Sequence, residues 1–447
     1  MNRRSFVLKN GKIVLGTLLL PAVLSSCSKE ILYEDLNYNG KVVIIGAGVA
    51  GLYAGYLLKK KGIDFTILEA SNEIGGRMGK KEDFAEFPVD TGAQWLHGDV
   101  SILGDLVKTT NTEIFLDESD TIFWHQGMLK NELPSELQGI LDNVEDGSED
   151  ISFEDYFFQS GGTPEDVSLI TSVAGDVGAS PDKISVKWES EGYNLISYGS
   201  DDHKFEKTFF DLINDEIISK VADNIQLNTV VAAIDYQSDK IEVKDNQGEI
   251  YEADKVIITV PITVLKDNDI VFSPELPALK TQSFQQLGME AGIKAFMRFS
   301  SKFAEANISG GSVCAAYSVE NYNRGSNDLV LMGFAMGDQA KALSDMGEPA
   351  ALAAMLSELD AMFDGQASAS YVSHYFKDWY KEPFIRGAYS YPLVGSNENT
   401  RKNIAESLDD KLFFAGEATN YNGHHQTVHG AVESAYREVI NILNSIE

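Results

Sequence analysis

The sequence predicts an α/β fold, a doubly wound parallel sheet accompanied by a second, sheet-and-helix domain. Three observations predict it. Val42–Ile45 is an unbroken apolar run that ends on glycine, as a strand buried on both faces does. A helical pattern and a second apolar run, Phe65–Leu68, follow at once. From Ile225 the chain turns to alternating runs, closing with Lys255–Val260 before Pro261. At 447 residues it exceeds one typical domain, and about two are expected.

Gly46, Gly48 and Gly51 follow the first strand as G-x-G-x-x-G. Gly46 permits the tight turn, Gly48 lets the backbone approach a pyrophosphate, and Gly51 lets the next helix pack closely. That helix, about Ala50–Lys61, aims its free N–H groups and positive dipole end at the phosphates, and Gly62 ends it. Glu69 closes the second strand, placed to hydrogen-bond a ribose hydroxyl. Strand, turn, helix, strand and acid in this order make a Rossmann-like dinucleotide site, one that serves NAD or FAD equally. Gly75-Gly76-Arg77 and then Asp90-Thr91-Gly92-Ala93 come next. Bare backbone and a cation there would reach the same pyrophosphate. Together these residues resemble the large flavoprotein family of amine oxidases and desaturase-like enzymes, and the resemblance implies FAD.

Hydrophobic content of 43% and charged content of 23% are those of a soluble globular chain. A net charge of −32 speaks against general nucleic-acid binding. It serves solubility first and attraction of cationic substrates second. The N-terminus stands outside the fold. Arg3-Arg4-Ser5-Phe6-Val7-Leu8-Lys9 resembles the twin-arginine export motif, and Ile13–Leu24 is apolar but short for a membrane span. Leu24-Ser25-Ser26-Cys27 resembles a bacterial lipoprotein cleavage box with Cys27 as the lipidated residue. An exported lipoprotein is expected, periplasmic or on the outer surface, held to the membrane through Cys27. Cys314 is then left alone, and no internal disulfide forms.

In chain order, residues 1–27 read as the signal and 28–40 as a polar tether. Residues 41–100, 201–290 and 379–447 read as three parts of the cofactor domain, and 101–200 with 291–378 as the substrate domain. Ser101–Tyr198 is mostly helical in pattern, and its acidic clusters Glu145–Asp150 and Glu189–Glu191 read as solvated loops. Asp201–Lys207 lacks the glycine that often precedes a helix such as Thr208–Lys220. Alternation past Gly288 starts a strand near Lys294.

Five separated segments match, in order, the flavin-dependent amine oxidases: GAGVAGLYAG, GGRM, DTGAQWLHG, GMEAGIK, and the tail DWYKEPFIRGAYSY with FFAGEATNYNGHHQTVHGA. The chain is similar to this family (monoamine, polyamine and spermine oxidases, histone-lysine demethylases, tryptophan monooxygenase) over most of Lys41–Val439. Ser101–Tyr198 carries none of its motifs. The resemblance implies a site. The family's lysine, here Lys294, holds a water against flavin N5 and helps oxygen accept electrons, since a cation stabilises the developing negative charge. Trp379 and Tyr389 line the substrate side of the flavin. Ala388 stands where covalent members carry cysteine, so FAD is expected to be non-covalent. The second wall of the monoamine oxidase aromatic cage falls near Thr427. Val231 meets the adenine through its backbone, and Glu417, after Gly416, hydrogen-bonds the ribityl and phosphate region. A helix over Thr427–Val439 aims its N-terminus at the flavin pyrimidine ring, with the Val428 N–H as donor. Gly76, Arg77, Gly92 and Ala93 complete the cofactor contacts. His97 within GAQWLHG resembles the polyamine and spermine oxidase branch, where a neutral imidazole accepts a hydrogen bond from a substrate ammonium. His424, His425 and His429 are not read as a metal site, because no H-E-x-x-H is present.

The implied reaction takes hydride from the carbon α to an amine onto flavin N5. The imine hydrolyses to an aldehyde, and molecular oxygen reoxidises the flavin with release of hydrogen peroxide. Three alternatives stay open. A desaturase would share Gly46–Arg77 but not the Lys294 and His97 segments. An L-amino-acid oxidase or tryptophan 2-monooxygenase would need a cation for the substrate carboxylate, with Arg298, Arg324 and Arg386 as candidates. A non-catalytic flavin-binding protein would hold FAD that no amine reduces.

Overall fold

The computed structural model describes residues 38–199 and 201–446. The export motif, the lipoprotein box with Cys27 and most of the tether lie outside the described residues. The end of the tether is docked: Tyr38 packs against the core of the cofactor domain. Burial, reinforced by Asp254, pushes its phenol up to about 12. No helix among the described residues is long and apolar enough to cross a membrane.

Lys41–Ile45 is the centre of a five-stranded parallel sheet. Its order is Ile225–Gln226, Asp64–Leu68, Lys41–Ile45, Lys255–Ile258, Leu412–Phe414. Both faces of the central strand are covered, which is why its apolar run is unbroken. Val42 and Ile44 face the helices Val49–Lys60 and Val428–Ile446. Val43 and Ile45 face a four-stranded sheet of Ile250–Ala253, Ile241–Asp245, Val231–Asp235 and Val271–Ser273. The class is α/β and the sheet Rossmann-like, with this small sheet covering the second face in place of helices. Parallel neighbours need long crossovers, so the strands come from stretches far apart in the chain.

A seven-stranded sheet carries the other half. Its order is Tyr371–Asp378, Gly292–Phe299, Leu329–Met336, Ala316–Val319, Asn307–Ser309, Thr121–His125, Met128–Lys130. Gly292–Phe299 pairs antiparallel on both sides. Ile293, Ala295 and Met297 alternate into a core with the helices Gly337–Met346 and Glu348–Met362. Lys294 takes the opposite face.

One local expectation, that for Glu189, is corrected, and two others gain detail. Residues 101–198 hold helices, but also the strand Ile114–Leu116 and the hairpin of Thr121–His125 and Met128–Lys130. The hairpin turns at Gln126-Gly127 with φ of 52° and 72°, the doubly positive geometry of a tight hairpin turn, whose usual sign is Asn-Gly. Glu189 is not in a solvated loop. It is buried on the helix Val186–Tyr193, with Oε2 3.6 Å from His425 Nε2. The stretch before Thr208 needs no glycine, because Asp202–Phe205 is itself a strand between Leu96–His97 and Ile114–Leu116. Thr208 then caps the following helix, its hydroxyl accepting from Asp211 N at 3.1 Å.

Candidate active site

The glycine turn, the GGR and DTGA segments, the strand Gly292–Phe299 and the start of the C-terminal helix converge on one cavity of about 1090 Å³. Gly46, Gly48, Glu69, Gly76, Arg77, Gly92, Ala93 and Val231 line it. So do His97, Lys294, Trp379, Tyr389, Gly416, Glu417 and Val428. Gly51 stands behind the wall, where an added Cβ would lie 2.0 Å from the Gly46 carbonyl oxygen. Helix and turn therefore touch through bare backbone.

The glycine loops fit a dinucleotide. A Cβ on Gly48 would meet no protein atom within 4 Å, and Gly48 borders the cavity. Gly76, at φ 60°, brings the second loop against it, since a Cβ there would sit 3.2 Å from Gly48 Cα. The helix Val49–Lys60 begins with Gly48 as an N-cap that supplies no side chain. Its first N–H groups are thus left for an anion. Glu69 accepts from Ala47 N at 2.6 Å and Ser71 N at 2.9 Å. One bond on each oxygen leaves lone pairs for hydroxyl donors.

Arg77 and Glu417 work as a pair. Arg77 Nη1 donates to Glu417 Oε1 and to the Ala388 carbonyl, both at 2.9 Å. Glu417 also accepts from Ser390 N at 3.2 Å, Ser390 Oγ at 2.7 Å and Gln426 N at 2.9 Å. Those bonds fill the acceptor sites of a carboxylate, so its side chain anchors the loops that border the cavity. Burial alone would raise its carboxyl pKa. Arg77 and Arg401 outweigh that and hold it below the usual value.

Lys294 is buried, its ammonium donating to Gly92 O at 2.6 Å, to Gln94 Oε1, and to Asp90 O at 3.4 Å. Burial pushes it down to about 8, against the pull of Glu320 and Asp90. The Asp90 carboxylate accepts from Phe209 N at 3.0 Å and Phe210 N at 3.3 Å at the start of a helix. Burial nevertheless raises it, to about 7. Trp379 Nε1 donates to Thr91 O at 3.0 Å, and Lys377 Nζ lies 4.5 Å from its ring. The Tyr389 hydroxyl donates to Asp176 O at 3.0 Å. Its ring rests on Gly178, where a Cβ would come within 2.4 Å. Thr427 has a structural role at the start of the C-terminal helix. Its hydroxyl accepts from Gly430 N at 3.1 Å and so caps Val428–Ile446.

His97 has a partner that sequence reasoning missed. Its Nδ1 lies 2.9 Å from Asp202 Oδ1, its cross-strand neighbour. A carboxylate only accepts, so Nδ1 carries a proton, and in the neutral ring Nε2 is the acceptor. Asp202 carried no signal in the sequence, because strand register alone sets it beside His97. His424 Nδ1 lies 2.7 Å from Glu433 and its Nε2 accepts from Ser197 N at 3.1 Å. Burial, with His97 and His424 near, keeps His429 well below the usual imidazole value. Among the described residues no group of His, Cys, Asp or Glu is placed to share a metal.

The cations considered for a substrate carboxylate are committed elsewhere. Arg298 lies 3.6 Å from Asp328, and Arg324 donates to Phe205 O at 2.6 Å and Glu206 O at 3.0 Å. Arg386 borders the cavity but pairs with Asp267 at 3.0 Å and Asp269 at 2.6 Å.

A cradle for a dinucleotide, opening onto a lysine, a histidine and two aromatic side chains, defines a protein that presents a dinucleotide cofactor to a small-molecule chamber. The chain belongs to the flavin-containing amine oxidoreductases. That family's model matches residues 208–443, and the model of an NAD(P)-binding Rossmann-like domain matches 44–108. FAD is the cofactor, non-covalent with Ala388 at the expected attachment position. Among known proteins the chain is similar to "Lysine-specific histone demethylase 2" of Homo sapiens, at 27% identity over 98% of this chain and 57% of that one. It thus spans little more than half of the demethylase. It is also similar to "Probable polyamine oxidase 4" of Arabidopsis thaliana, at 26% identity over 90% of this chain and 86% of that one. A putrescine oxidase solved with putrescine superimposes with a TM-score of 0.77 at 20% identity, covering 91% of this chain and 99% of that one. Cyclohexylamine oxidase from Brevibacterium oxydans gives 0.76 at 18% with the same coverage. At these identities the two structures share the fold.

Proposed function

We propose that this chain oxidises amines with FAD, taking polyamines or similar long-chain amines and yielding an imine or aldehyde with hydrogen peroxide. The observation that carries the reading is the convergence of His97, Lys294, Trp379 and Tyr389 on the cavity that also holds the glycine cradle. The names of the plant polyamine oxidase and of the putrescine oxidase support the substrate class.

Bound there, FAD supplies the hydride acceptor and the route for electrons to oxygen. The chain's own residues supply placement and charge. The backbone at Gly46, Gly48 and Gly76 takes the pyrophosphate, and the free lone pairs of Glu69 take a ribose hydroxyl. Val428 offers an N–H at a helix start, where partial positive charge favours an anionic group. Trp379 and Tyr389 give an aromatic wall that orients the amine and excludes water. His97 Nε2 accepts a hydrogen bond from the substrate nitrogen, with Asp202 holding the tautomer. Lys294 contributes a buried cation, worth more there than in water. Export as a lipoprotein anchored at Cys27 belongs to the same proposal, carried by the N-terminal motifs. The test is anaerobic bleaching of the bound flavin by a panel of amines and amino acids. Spermidine and spermine should bleach it fastest. Bleaching by an L-amino acid alone would move the assignment to the amino-acid oxidases, and no bleaching by any amine would make the protein a flavin binder.

A further inference from the structure

Gln94 sits between the cavity's lysine and a buried row of charges. Its Oε1 accepts from Lys294, and its Nε2 donates to Glu320 Oε1 at 3.2 Å. Lys204 Nζ lies 3.3 Å from the same Glu320 oxygen and 3.4 Å from Asp117 Oδ2. Asp117 Oδ2 accepts from Trp95 Nε1 at 2.8 Å. Lys294, Gln94, Lys204 and Glu320 are each 3–6% exposed. Both ammonium groups lie 5.4 Å from the centre of the Trp95 ring.

The order of these groups fixes the amide's orientation. Cation, carbonyl oxygen, amide nitrogen, carboxylate, cation and carboxylate follow one another. A flipped amide would set NH₂ against ammonium and C=O against carboxylate. Lys294 also faces three oxygen acceptors, at Gly92, Asp90 and Gln94. An ammonium has three protons for them and a neutral amine two.

We propose that Gln94 is a positioning residue for Lys294, an oriented amide that ties the cavity's lysine to the buried Glu320–Lys204–Asp117 row and keeps that lysine cationic. The other charged groups near it are Asp90, Arg324 close to both acids, and Lys377, its cross-strand neighbour. Glu320 is the strongest of the charges that raise its proton affinity. This coupling presupposes the amine-oxidase reading of the cavity, but its test does not depend on which amine reduces the flavin.

The test is a titration of the Lys294 ¹³Cε resonance in FAD-loaded, lysine-labelled protein, assigned by its loss in Lys294→Met. The wild-type midpoint should fall at about 8. Glu320→Gln and Gln94→Leu should each lower it by about one pH unit, a tenfold loss of proton affinity. Gln94→Glu, which sets a carboxylate beside the amine, should raise it. The pH profile of flavin reoxidation should move with the midpoint. If neither Glu320→Gln nor Gln94→Leu moves it, or both merely lower FAD content and Tm, the proposal is overturned. If Glu320→Gln alone moves it, the charge acts through space and Gln94 is no link. Should Glu320→Gln fail to fold, Gln94→Leu decides, because it removes no charge.

Discussion

Lys294→Met exchanges a buried cation for an apolar side chain of similar length. Lys294 is 3% exposed, so little solvent screens its charge. A unit charge about 4 Å from a developing negative charge, at an effective dielectric of about 20, is worth about 4 kcal/mol. Removing one such preorganised contact typically costs about 3 kcal/mol, or roughly a hundredfold in rate. The reductive half-reaction has no comparable need for the cation, so the loss should fall on reoxidation of the reduced enzyme. The pH dependence follows from the same group. Lys294 is charged below about 8 and neutral above it. Wild-type reoxidation should therefore be fast at pH 7 and slow as the pH rises through about 8, while Lys294→Met stays slow and flat. Stopped-flow mixing of reduced protein with oxygenated buffer measures both, and flavin absorbance confirms that FAD is retained. Reoxidation of Lys294→Met at wild-type speed, or a variant that keeps the wild-type pH profile, would refute the reasoning.

Acid precipitation of the purified protein should release a yellow supernatant, because Ala388 offers no thioether; a yellow pellet would show covalent flavin. Asp202→Asn should raise the KM for spermidine about tenfold, the value of roughly one hydrogen bond, by freeing the His97 tautomer. Benzylamine kinetics and FAD content should stay unchanged, and equal losses for both amines would show that Asp202 acts only on folding. Replacing Arg3 and Arg4 by Lys should trap the precursor inside the cell, and Cys27→Ser should block lipid attachment; normal processing of the double-Lys precursor would end the twin-arginine reading.

What was legible in the sequence was set by local spacing. The glycine turn, its helix and Glu69 lie within one βαβ unit, so their order in the chain is their order in space. The alternation around Lys294 placed it on a strand because side chains two apart share a face. What was hidden depended on long-range register and burial. Asp202 reaches His97 across paired strands, and Glu320 is joined to Lys294 by hydrogen bonds through Gln94. Glu189 looked like part of a charged loop, since composition cannot tell a buried carboxylate from a solvated one. The hairpin at Gln126-Gly127 lacked the usual turn pair and merged with the helical pattern around it.

The most direct test of the central claim is anaerobic bleaching of the bound flavin by spermidine, benzylamine and a set of L-amino acids, followed by peroxide release on admitting oxygen. Spermidine should bleach the flavin fastest, and its apparent affinity should fall with ionic strength if acids near the cavity hold a second ammonium. Benzylamine should respond weakly to salt, as a ligand with a single charge would. A flavin that no amine bleaches would contradict the account.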